Sequence, residues 1–504
     1  MTNEVLSATT GASAVTARTL PYAFAKAKGV VLVSVRDGRA ALALRSNASL
    51  DVLAEVQRVL GMPFVIERVN AVRFDELMAS AYAAEGGAMD VRDFEQHVDL
   101  SRLIQDLPEV DDLLDAQDGA PIIRMINALL TNALRENASD IHIEPFESRS
   151  LVRFRVDGSL RDVIEPNRAI HAALVSRIKV MAQLDIAEKR LPQDGRIGLR
   201  LGGRPVDVRV STIPSGYGER VVLRLLDKEA GRLDLAKLGM DEITLERIKG
   251  LARQPHGILL VTGPTGSGKT TTLYAALGQI DTRNMNVMTV EDPIEYYLDG
   301  IGQTQVNTRI DMTFAKALRS ILRQDPDVIM IGEIRDLETA EIAIQASLTG
   351  HLVLATLHTN DAVSSVTRLI DMGIEPFLLA SSLVGVLAQR LVRQLCPDCK
   401  RAASIEATER HLIGEKTSPD RIWHPVGCPT CNQTGYRGRS GIYELMTVDA
   451  ATRRLIHDRA SEPELQRSAL EGGMTSLRQD AMRGILSGQT SLEEVLRVTR
   501  AEGA

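Results

Sequence analysis

The chain has 504 residues, 44% hydrophobic and 25% charged, a globular composition that excludes a mainly disordered or collagen-like polymer. At about 150 residues per domain it holds three or four domains, and with 3% aromatic residues and one Trp its cores must be built from Ala, Val, Ile and Leu. Lys plus Arg total 59 against 66 Asp plus Glu, a net charge of −7, which argues against a protein whose main work is coating nucleic acid.

No apolar run approaches the ~18 residues that span a bilayer, and the N-terminal segment has no apolar signal core. All four Cys fall between 396 and 431, too few and too local for a disulfide-stapled secreted protein. The expectation is a cytoplasmic, multidomain chain.

Residues 1–90 read as a small α/β unit. Extended segments at 30–35 and 40–44 flank Asp37-Gly38, Ser49 is placed to cap a helix running through Leu60, and a strand follows at 64–69. Asp90 to Asp118 holds ten acidic residues and two Arg, the composition of a charged linker over 91–118, with a docking segment as the alternative. A second α/β domain is expected over 119–238, opening on a helix at 122–137 and continuing through strands near 141–143, 152–156, 206–210 and 221–226. Over 239–394, short wholly apolar runs alternate with helical segments. Strands covered by helices on both faces have that texture, so the fold class is α/β with a doubly wound, mostly parallel sheet. A cysteine module at 395–436 and a helical C-terminal region at 437–504 complete the chain.

Gly263-Pro264-Thr265-Gly266-Ser267-Gly268-Lys269-Thr270 is a complete G-x-x-x-x-G-K-[ST] loop, placed between an apolar strand and a helix that opens at Thr271. Its glycines let backbone N–H groups turn toward an anion, Lys269 can reach the β and γ phosphates, and the Thr270 hydroxyl can ligate Mg²⁺. Two further apolar strands end in carboxylates, Glu333 and Glu291, either of which can hold Mg²⁺ or polarise an attacking water. His351 and His358 bracket another strand, where an imidazole either contacts phosphate or serves the structure. Arg196, Arg204, Arg209, Arg220 and Arg224 cluster in the second domain, as γ-phosphate ligands or as a salt-bridged strand face. Cys396, Cys399, Cys428 and Cys431 form two C-x-x-C knuckles, the spacing of a closed, structural Zn²⁺ site; a redox pair is the weaker reading.

With Leu191-Pro192-Gln193-Asp194-Gly195-Arg196, Val290 to Glu295, Arg323 to Asp327, Gly332 to Asp336 and Thr349 to Asn360, these motifs form an ordered series. It resembles the secretion and pilus-assembly ATPase superfamily, nearest to its type II secretion branch (the general secretory pathway protein E family), over residues 119–504. The resemblance implies a RecA-like ATPase domain behind small α/β domains, the second PAS-like. It also implies a Walker A loop at 263–270, a Walker B strand at 327–333, Glu291 as the family's general base and a His box at 350–360 that includes His358. Arg209 and Arg220, with Arg196 behind them, would be offered to the nucleotide by the second domain. The zinc module belongs to the secretion and pilus-extension branches. Implied further are a homo-hexamer using ATP with Mg²⁺, held on the cytoplasmic face of the inner membrane. Its N-terminal domain would dock on an inner-membrane protein with a cytoplasmic domain (type II secretion protein L), beside the platform protein (type II secretion protein F), without nucleic acid. A pilus-extension motor and a RecA-like nucleic-acid motor are the alternatives.

Overall fold

The computed structural model describes residues 25, 28–36, 39–46, 48–49, 52–70, 73–74, 77, 120–201, 204–227, 234–413 and 419–499. The expected linker at 91–118 and the Asp37-Gly38 turn lie outside the described residues.

In the first unit, β1 (Val30–Arg36) and β2 (Arg39–Arg45) pair antiparallel, and α1 (Val52–Leu60) crosses over to β3 (Phe64–Val69), which lies parallel to β2. Apolar alternation along β2 sends Leu42 and Leu44 against Val52, Val56 and Leu60 of the helix.

The second body opens with α2 (Ala120–Arg135), β4 (Ala138–Pro145), β5 (Ser150–Val156), β6 (Ser159–Ile164) and α3 (Arg168–Met181). Strands β7 (Gln193–Leu201), β8 (Arg204–Ser215) and β9 (Gly218–Asp227) complete a six-stranded sheet in the order β6-β5-β4-β9-β8-β7. Asp157 and Gly158 turn β5 into β6 with φ of +48° and +84°, the left-handed pair a type I′ hairpin requires.

A seven-stranded sheet follows. Helix α4 (Glu242–Leu251) precedes β10 (Gly257–Thr262), α5 (Lys269–Leu277), β11 (Val287–Glu291), β12 (Gly302–Gln305), α6 (Phe314–Ile321) and β13 (Val328–Ile331). Then come α7 (Leu337–Leu348), β14 (Leu352–Leu357), α8 (Val363–Asp371), α9 (Pro376–Ser382) and β15 (Leu383–Leu395). The cysteine module contributes β16 (Arg401–Ser404), α10 (Ala407–Ile413) and β17 (Arg421–His424), after which β18 (Tyr436–Thr447) returns to the sheet. The order is β12-β11-β13-β14-β10-β15-β18, parallel throughout except where β15 meets β18. Ile258 and Leu260 of β10 face a core with α6, α7 and α8, whereas Leu259 and Val261 face a second core with α4 and α5. Period-2 burial into two cores is why these strands are apolar at every position.

One expectation needs correction. The region from residue 437 opens not on a helix but on β18, which pairs with β15 as the edge of the main sheet, so the cysteine module is an insertion in a hairpin. The helices α11 (Ala450–His457), α12 (Glu462–Glu471), α13 (Leu477–Leu486) and α14 (Leu492–Val498) then follow. Among the described residues no helix is long and apolar enough to cross a membrane.

Candidate functional site

Strand β10 feeds the loop 263–270 and α5 leaves it, with Gly268 as a left-handed cap (φ +88°). Gly263 has φ +146°, and a Cβ there would lie 2.4 Å from the Gln389 carbonyl oxygen and 2.7 Å from Ser267 Oγ. Pro264, Thr265 and Gly266 form the exposed crown. The buried Ser267 hydroxyl has no hydrogen-bond partner, an unmet polar group at a helix N-terminus that suits the oxygens of an anion. Lys269 is buried and donates to the carbonyls of Gly263 (2.8 Å) and Pro264 (3.1 Å). Burial lowers its pKa and the charge of Glu333 opposes that shift. Half-buried Thr270 and Thr271 follow in the first turn of α5. Gly263→Ala is expected to destabilise the fold by ~2 kcal/mol, from the strained φ alone. It should also remove the rise in melting temperature on adding MgATP, which differential scanning calorimetry will read.

Glu333 stands just beyond β13. Its segment is stitched between strands: Gly332 N–H donates to Val290 O (2.8 Å), Ile334 N–H to Thr356 O (2.9 Å), and the Thr356 hydroxyl to Gly332 O (2.6 Å). The carboxylate pairs with Arg335 and lies 3.4 Å from Nε2 of His358. Burial and the nearby Lys269 charge lower the pKa of His358, which keeps its ring neutral at pH 7. Lys269, Glu333 and His358 are therefore brought together at the C-terminal ends of adjacent parallel strands, where α/β sheets hold ligands. His351, at the opposite end of β14, bonds Ala346 O through Nδ1 (2.8 Å) and serves the structure.

Glu291 ends β11, the strand beside β13, but its carboxylate turns into the fold. It accepts from the Tyr274 hydroxyl, from Thr289 Oγ1 (2.5 Å) and from Gln303 Nε2 (3.0 Å). Of the arginines, Arg209 grips Glu295 (3.0 Å) and the Ile294 carbonyl (3.0 Å), four and three residues past Glu291. Arg196 lies 3.5 Å from Gln305 of β12. Arg220 is not brought there: it pairs with Glu144 (2.6 Å) across its own sheet, as Arg224 pairs with Asp140 (2.9 Å). Arg196 therefore stands ahead of Arg220 as a companion to Arg209.

The four cysteine sulfurs lie within 4.8 Å of one another, with separations of 3.8, 3.8 and 3.7 Å for the pairs 396–428, 399–431 and 428–431. A tetrahedral ion with Zn–S bonds of about 2.3 Å places sulfurs about 3.8 Å apart, so the donor set fits Zn²⁺. Burial raises the Cys431 thiol, but the amides of Cys428 and Gly435 donating to its sulfur outweigh that and hold it below the usual thiol range. Such amide bonds favour a thiolate ligand.

Sequence reasoning passed over Tyr274, Gln303 and Gln389. Gln389 braces the phosphate loop: its amide donates to Ser267 O (2.5 Å) while its oxygen accepts from the Thr272 hydroxyl (2.7 Å). Its signal was there, a polar side chain set directly after the run Leu383 to Ala388 of β15.

Residues 115–497 match the family model described as type II/IV secretion system protein, and residues 19–82 match that of an N-terminal domain of GSPII protein E. The type II secretion system protein HxcR of Pseudomonas aeruginosa is 62% identical, covering 95% of this chain and 99% of its own length. The type II secretion system ATPase E of Vibrio cholerae is 53% identical, covering 96% and 97% respectively. Among solved structures, the pilus retraction motor PilT with bound ADP aligns with a TM-score of 0.53 and 27% identity, covering 75% of this chain and 97% of that one. The ATPase DotB of Legionella pneumophila shares the fold with a TM-score of 0.56 at 21% identity, covering 74% and 95%.

Proposed function

The chain belongs to the type II/IV secretion system protein family and is a type II secretion ATPase, and from that premise we propose that it works as a homo-hexamer on the cytoplasmic face of the inner membrane. There it powers assembly of a pseudopilus that drives folded exoproteins across the outer membrane. The observation that carries this reading is the convergence of Lys269, Glu333 and His358 beside an anion-shaped loop.

In the catalytic cycle the backbone of 263–270 cradles the β and γ phosphates of ATP, and Lys269 exchanges the carbonyls of Gly263 and Pro264 for phosphate oxygens. Thr270 and Glu333 would hold Mg²⁺, which when bound neutralises charge on the transferring phosphoryl group. Glu333 and Glu291 are the two carboxylates able to take a proton from the attacking water. Arg209, freed from Glu295, supplies charge to the transition state as the second domain closes on the ATPase domain. The cysteines would hold Zn²⁺ as a structural ion. The N-terminal unit docks on a membrane protein (type II secretion protein L), and the motor acts on a platform protein (type II secretion protein F).

Chromosomal Lys269→Ala in the host tests the assignment. Folded exoproteins should accumulate in the periplasm while surface pili persist. Loss of pili with secretion intact would instead make the chain a pilus-extension motor.

A further inference from the structure

We infer that Tyr274 is a positioning residue for turnover, one that fixes the placement of the Glu291 carboxylate from the phosphate-loop helix. The inference rests on reading Glu291 as a base in the reaction. Tyr274 lies five residues past Lys269 on α5, in a run whose other members from Leu273 to Leu277 are apolar and buried. Two buried polar side chains of that helix, Thr272 and Tyr274, each tie it to a neighbouring strand, Thr272 to Gln389 of β15 and Tyr274 to Glu291 of β11.

Burial makes the pair mutually dependent. Glu291 is 2% exposed and Tyr274 3%, and either group left without its partner would incur the cost of an unsatisfied buried polar group, greatest for the carboxylate. Both carboxylate oxygens are fixed. Tyr274 donates to Oε2, while Thr289 (2.5 Å) and Gln303 (3.0 Å) donate to Oε1. The phenol ring is itself braced edge-on by Tyr296, with centroids 4.6 Å apart at 84°. Burial first, and the bond to Glu291 second, push the Tyr274 pKa well above the usual tyrosine value, so the hydroxyl remains a donor at every working pH. Because α5 begins in the phosphate loop, displacement of the loop displaces this hydroxyl and the carboxylate it holds. Tyr274 thus acts through Glu291 and contributes to the rate of the chemical step, not to affinity for ATP.

Steady-state hydrolysis of MgATP by the full chain tests this. Tyr274→Phe keeps the ring and its packing, and should lower kcat about tenfold, the worth of one hydrogen bond to a charged group. KM for ATP should stay within about twofold, the pattern of lost transition-state positioning, and the melting temperature should fall only by the cost of one buried carboxylate oxygen left without its donor. Tyr296→Phe, which removes a buried hydroxyl that has no partner, should leave kcat unchanged. Wild-type kcat in Tyr274→Phe, or a loss confined to KM, overturns the inference. Should Tyr274→Phe fail to fold, Gln303→Met removes a donor from the other oxygen and must show the same kcat-only loss. Glu291→Gln separates the two readings. If it turns over normally, the assignment of Glu291 as base fails, whereas if it is inactive while Tyr274→Phe is normal, only the role of Tyr274 fails.

Discussion

Glu333→Gln should lower ATP turnover by ~10²–10⁴-fold, the range expected when a positioned carboxylate that takes a proton or places the metal is lost. Binding of MgATP should survive, since the loop that cradles phosphate is braced by Gln389 from β15 and not by Glu333. Lys269→Ala should behave differently, losing turnover and affinity together, because its ammonium is the only cation that the loop motif itself would offer to the phosphates. Equilibrium binding of a fluorescent ATP analogue alongside phosphate release separates the two patterns. The isosteric amide cannot carry the charge that Glu333 now shares with Arg335 and projects onto Lys269. Turnover near wild type in Glu333→Gln would move the base to Glu291 and leave Glu333 a structural partner of Arg335.

The parts of this site legible in the sequence are those whose chemistry is local. A phosphate loop is eight consecutive residues, and Glu333 and His358 directly follow apolar strands, so parallel pairing alone brings them to the same end of the sheet. Spacing could not say which arginine leaves its own domain. Register decides that: β4 places Asp140 opposite Arg224, and its Glu144 takes Arg220, which leaves Arg209 on β8 to reach Glu295. Strand β18 was illegible for a related reason. Its first half, with Arg437 and Arg439, is partly exposed, and only the second half is buried against β15. The tie between Tyr274 and Glu291 spans 17 positions and two elements, and no local pattern announces a hydrogen bond formed by packing.

Removing metal from the cysteine module should cost that module its fold while the main sheet stands. Strands β16 and β17 have four residues each, and a two-stranded ribbon of that length is marginal in water. Among the described residues its apolar anchorage is slight, with Ile422 set among Val392, Ile442, Ile485 and Leu492. Four thiolates converging within 4.8 Å repel one another without a cation, so metal binding and folding would be one equilibrium here. The flanks have independent support, since Arg393 of β15 pairs with the buried Glu494 of α14 (2.7 Å) and covers the ring of Tyr436 (4.1 Å). The single tryptophan reports on the boundary: Trp423 lies under the Lys400 ammonium (4.7 Å), whose Nζ also donates to Gly488 O (2.7 Å). Preparations should contain about one zinc per chain, and chelation or Cys396→Ser should shift Trp423 emission to the red. Far-UV circular dichroism should fall only slightly, and the melting transition of the ATPase domain should keep its response to MgATP. An unchanged Trp423 spectrum in a metal-free, fully stable preparation would show that the four cysteines fold without zinc.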